Sequence, residues 1–143
     1  MGKRQCRWAG IAIATLLSCV AASSGMAQER VTPEMFLEFA MGRTLTFNTF
    51  PDGQLVGVEE YLRPNLSVWR DRSETCVYGR ITLEDGQICF LYDNDPDDVP
   101  VCWVPFIEGD RWFVFNSNGV SGEIQEITDV SDSGLQCPVK PGV

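Results

Sequence analysis

Apolar and polar positions change rhythm twice along this chain. The first ten-residue run, Trp8 to Leu17, is apolar apart from Thr15; Lys3, Arg4 and Arg7 precede it and small residues follow from Ser18. A basic stretch, an apolar core and a small-residue stretch in that order predict an export signal. The apolar core is well short of the roughly 20 residues needed to span hydrocarbon, so no transmembrane anchor is expected in the mature form. Gly25-Met26-Ala27 places small residues at the two positions a signal peptidase reads, which makes 1–27 the leader and 28–143 one β-rich domain. Leu16-Leu17-Ser18-Cys19 resembles a lipoprotein box, and cutting there would instead leave a lipid anchor at Cys19. Leu at the second box position is tolerated in that motif but not favoured, so the freely soluble form is the main expectation.

Helical periodicity appears once. Thr32 can cap free N–H groups, Pro33 fits the first turn, and Glu34 suits the positive end of the helix dipole. Met35, Phe36, Phe39 and Ala40 then form one apolar stripe, and Gly42 is a natural stop. A short helix over about 33–41 follows.

From Arg43 onward the rhythm is that of short strands. They are predicted near Thr44 to Phe50, Leu55 to Leu62, Ser67 to Trp69, Thr75 to Leu83, Gln87 to Tyr92, Val101 to Ile107, Trp112 to Asn116 and Glu123 to Thr128. Pro51-Asp52-Gly53, Glu84-Asp85-Gly86, Glu108-Gly109-Asp110 and Asn118-Gly119 punctuate them with residues that tolerate or preset turn geometry. Connections so short join only antiparallel neighbours. The expected fold is mainly β: an antiparallel up-and-down meander of about eight strands, open or closed into a barrel, with one short N-terminal helix and an irregular tail over about 130–143. Ile88 to Tyr92 and Val101 to Val104 are bulky on both faces, so each face needs cover.

Cysteine usage adds covalent ties. Beyond the leader lie Cys76, Cys89, Cys102 and Cys137, an even number in an exported chain, which reads as two disulfides. Zinc is disfavoured because there is no C-x-x-C pair and no histidine anywhere. A hairpin centred near residue 95 sets Cys89 opposite Cys102, within bridging distance. That favours Cys89 with Cys102 and leaves Cys76 with Cys137.

Charge narrows the partners. Removing the leader leaves eight basic residues against twenty acidic ones, a formal −12. Nucleic acid and anionic membrane surfaces would be repelled. Nucleophilic catalysis lacks a histidine base, and the one lysine beyond the leader, Lys140, sits in the tail. No phosphate-binding loop or dinucleotide fingerprint is present, so no cofactor is implied.

Three local features could carry chemistry. Asp93, Asp95 and Asp97 have the alternate spacing of a calcium loop, but Asp98 stands where the turn needs glycine and Val104 where a closing glutamate belongs, so they are a weak metal candidate. Glu59 and Glu60 are adjacent, so in a strand they face opposite ways and cannot flank one bond; they are expected as one exposed acid and one at a rim. Tyr61, Trp69, Tyr78, Phe90, Tyr92, Trp103 and Trp112 are numerous enough to line a cavity in a small barrel, with core filling as the competing use.

Gly42 to Phe47, Glu59 to Leu62, Val68-Trp69, Cys76 to Gly79, Asp85 to Tyr92 and Cys102-Trp103 together resemble small exported β-domain proteins of proteobacteria, the DUF995-like group. Ile81 stands where such proteins often carry tryptophan. The resemblance implies a periplasmic β-sheet domain and no particular activity. The function expected is therefore non-catalytic recognition of a protein partner or ligand in the periplasm, with a lipocalin-like carrier of a small apolar ligand and an envelope inhibitor or accessory protein as alternatives.

Overall fold

The computed structural model describes residues 28–118 and 122–138. The predicted leader, both candidate cleavage sites and Cys19 lie outside them.

Nine strands and one helix follow in the order β1 (Gln28–Arg30), α1 (Pro33–Ala40), β2 (Thr44–Thr49), β3 (Leu55–Arg63), β4 (Leu66–Asp71), β5 (Cys76–Glu84), β6 (Gln87–Tyr92), β7 (Val101–Glu108), β8 (Arg111–Asn116) and β9 (Ile124–Ser131). Each strand from β2 to β9 pairs antiparallel with the next, and β9 pairs back onto β2, so eight strands close into an up-and-down barrel. The short β1 lies outside this count: it bonds the Phe106 to Glu108 half of β7, whereas β6 bonds the Val101 to Trp103 half.

Local chemistry accounts for the connections. Asp85 and Gly86 both have positive φ, 48° and 78°, as the tightest hairpin turn requires. Thr32 Oγ1 accepts the Met35 N–H at 3.2 Å, capping α1, and Gly42 leaves the helix at φ 72°.

α1 closes one end of the barrel. Phe36, Leu37 and Ala40 are buried, and Phe36 meets Tyr61 edge-on at 6.0 Å between ring centres. The other end is ringed by the β2–β3, β4–β5, β6–β7 and β8–β9 connections. Inside, the core joins Phe36, Leu45, Tyr61, Ile81, Ile88 and Phe90.

Both expected disulfides are present, and both lie on the outer face. Cys89 and Cys102 are directly paired across β6 and β7, with Cα atoms 4.1 Å apart. Cys76–Cys137 ties the tail to β5. On either side of that bridge the tail runs over the barrel wall: Ser133 O accepts from Thr44 Oγ1, Leu135 N–H donates to Glu60 Oε2, Leu135 O accepts from Arg70 Nη1, and just past Cys137 Tyr78 donates its hydroxyl to Pro138 O. Leu135 is buried, as is Val68 on β4. The tail, irregular as expected, is thus held as a strap over Ser133 to Pro138.

Candidate functional site

Strand alternation decides which side chains reach the barrel interior. On β3 these are Gly57, Glu59 and Tyr61; on β4, Ser67 and Trp69; on β6, Ile88, Phe90 and Tyr92. With Trp103 on β7, Val114 and Asn116 on β8 and Gln125 on β9, they enclose a cavity of about 280 Å³ above the ring of Phe36.

Two glycines shape its wall. A Cβ on Gly79 would lie 2.9 Å from the Tyr92 ring, so only glycine lets that ring cross β5. Gly57 does the same for the Trp69 indole, which occupies the space a side chain there would need. Rings laid across bare backbone in this way keep the centre of the barrel open.

Among the described residues Glu59 is the one buried acid, 2% exposed. Its Oε2 accepts the Tyr92 hydroxyl at 2.8 Å, and its Oε1 makes no hydrogen bond. Desolvation pushes its carboxyl from 4.5 up to about 7, while Ser67 and Tyr92 pull the other way. Ser67 Oγ is close enough to ease the charge but completes no hydrogen bond of ordinary geometry, so Tyr92 is the partner the geometry supports. Burial, with the Glu59 charge adding to it, drives the hydroxyls of Tyr61 and Tyr92 well above the usual phenol range, so both stay neutral donors. No lysine or arginine lines the cavity among the described residues.

Of the aromatics expected to line a cavity, Tyr61, Trp69, Phe90, Tyr92 and Trp103 do so. Tyr78 does not. It shares strand parity with Cys76, on the outer face, where its hydroxyl meets the tail. Trp112 has inward parity but sits at the helix end, stacked on Phe39 at 4.2 Å, and so belongs to the floor. The expectation for Glu59 is overturned: it is neither exposed nor at a rim. Tyr61 two residues on already fixed its face, because residues i and i+2 share one side of a strand. Glu60 points outward and anchors the strap. Asp93, Asp95 and Asp97 do not converge, and no group of three metal-ligating side chains forms among the described residues.

A carboxyl with a pKa near neutrality can exchange a proton or hold a positive charge. The Tyr92 hydroxyl, one candidate donor for a developing anion, is committed to Glu59 itself. A second hollow on the outer face, lined by Phe50, Phe106, Phe113 and Phe115, has no unpartnered buried polar group. Comparison with protein-family models, curated proteins and solved structures gave no match.

Proposed function

We propose that this chain is an exported binding protein that takes a small, largely apolar ligand into its barrel in the periplasm and does no chemistry on it. The observation that carries the reading is the aromatic-walled cavity of about 280 Å³ inside a closed barrel. The rings pack around that space, Phe90 meeting Tyr61 at 6.2 Å and Tyr92 at 6.0 Å between ring centres, while Gly57 and Gly79 give Trp69 and Tyr92 room against the wall. At about 30 Å³ for each water-sized group the space suits a ligand of about nine non-hydrogen atoms. Two disulfides agree with a compartment outside the cytoplasm, and the pattern of residues 1–27 agrees with export to it. The absence of a nucleophile–base pair among the described lining residues supports recognition over catalysis.

The test is titration of the oxidised protein with 4-(dimethylamino)benzonitrile, a compact neutral fluorophore close to that size that brightens in apolar surroundings. Saturable brightening is expected, together with its loss in Val114→Trp, which fills the cavity. Unchanged far-ultraviolet circular dichroism checks that the variant is folded. No brightening of the native protein, or brightening that survives Val114→Trp, would overturn the reading.

A further inference from the structure

We infer that the ligand is a small organic cation, an amine-derived ammonium ion held between the Glu59 carboxylate and the faces of Trp69, Tyr92 and Trp103. This rests on the binding function proposed above and gives its ligand a charge.

Three independent features of the cavity point the same way. First, an acid in an apolar wall is costly unless something balances it, and Glu59 is buried with one oxygen unpartnered and no cation beside it. A protein that wanted only an apolar cavity would gain stability by placing an apolar residue there. Second, the wall is made of aromatic faces, whose negative quadrupoles attract a cation and do so most strongly when it is desolvated. An anionic ligand would meet Glu59, the π-faces and Glu123 with nothing positive in return.

Third, the route in is acidic. The loops at the end away from α1 carry Asp52, Glu74, Asp93, Asp95, Asp97 and Asp98 against Arg72. Fields from such a rim concentrate cations at a mouth with low-dielectric walls. The aspartate loop thereby acquires a use.

The titratable groups that line the cavity with Glu59 are Tyr61 on its own strand, Tyr92 on β6 and Glu123 in the connection just before β9; Ser67 and Trp69 from β4 do not titrate. Both tyrosines stay neutral, so within the barrel wall Glu59 supplies the charge that governs cation binding. With its carboxyl at about 7 in the empty cavity, ionisation is about thirtyfold less complete at pH 5.5 than at pH 8, and cation affinity falls by a similar factor.

Calorimetric titration of the oxidised full chain with 2-phenylethylammonium and with 2-phenylethanol tests this, because the two probes match in size and differ in charge. The ammonium ion is expected to bind at least tenfold more tightly at pH 8. That preference should vanish in Glu59→Gln while the alcohol still binds. Moving to pH 5.5 should weaken the ammonium ion about thirtyfold and leave the alcohol unchanged. Equal affinity for the two probes, a preference that survives Glu59→Gln, or a pH-independent preference overturns the inference and leaves the binding function standing. So does a cavity that takes the neutral fluorophore but not the ammonium ion. If neither probe nor the fluorophore binds, the binding function itself has failed. The pH comparison uses the unaltered chain, so a variant that did not fold would not remove the test.

Discussion

Tyr92 on β6 donates its hydroxyl to Glu59 on β3 at 2.8 Å, across a barrel wall in which β4 and β5 separate the two strands. The bond crosses the interior rather than following the sheet, so it couples two parts of the wall that share no backbone hydrogen bonds. It also fixes the direction in which the carboxyl meets the cavity.

Glu59 makes the fold sensitive to pH in a predictable sense. Its carboxyl is at about 7 in the folded chain and near 4.5 once exposed, so between those values the native state holds the proton that the unfolded state releases. Stability from this group is therefore full below 4.5 and is lost as pH rises through 7, by up to about 3 kcal/mol. Urea unfolding at pH 5 and pH 8 should show the loss in the native chain and a smaller change in Glu59→Gln, with the variant the more stable of the two at pH 8. An identical pH dependence in both chains would contradict the placement of Glu59.

Gly79→Ala should cost about 1–3 kcal/mol, the usual range for an overpacked interior. The added methyl would sit 2.9 Å from the Tyr92 ring and push it off Glu59. Gly57→Ala should cost at least as much, since its methyl would meet the Arg70 carbonyl at 2.8 Å as well as the Trp69 indole. Near-ultraviolet circular dichroism should report the displaced rings. Unchanged spectra with unchanged stability would show that the rings do not lie over these glycines.

The two disulfides should differ in worth. Cys76–Cys137 closes a loop of 61 residues and Cys89–Cys102 one of 13. On loop entropy alone their removal costs about 4 and about 3 kcal/mol respectively. Comparing the paired alanine variants by urea unfolding checks the order. Loss of the longer bridge should also free the strap, seen as faster amide exchange at Leu135, whose N–H is otherwise held by Glu60 at 2.8 Å.

Thr32→Ala should remove the cap of α1 and cost about 1 kcal/mol. Because α1 is the floor of the cavity, the variant should also bind the neutral fluorophore less tightly. Stability that drops while binding stays the same would separate the floor from the site.

Much of this was legible in the sequence because β chemistry is local. The Asp85-Gly86 turn marked one hairpin, and the next, centred near residue 95, set the register that brought Cys89 against Cys102. Glu59 was misplaced for a different reason. Alternation says that Glu59 and Glu60 face apart, but which of them turns inward depends on the whole strand, and Tyr61 was the neighbour that decided it. Tyr78 failed by the same parity, being on the face of Cys76. Trp112 failed on depth, since alternation gives a side and not a height along the barrel, and only α1 revealed that its end was the floor. β1 left no periodic signal in three residues, and the strap had none to leave because side chains far apart in sequence hold it.

The seam between β2 and β9 has a consequence for how the chain must be completed. Thr44 pairs with Ser131 and Thr49 with Gln125, so the first barrel strand finds one of its two partners only in the last. Any fragment ending before Ile124 leaves β2 and β8 as open edges with apolar inner faces, the kind of surface that recruits other chains into aggregates. Contacts this distant in sequence also form slowly. The barrel cannot be built up in stable halves, and its protection from edge-to-edge association arrives all at once, with the final strand.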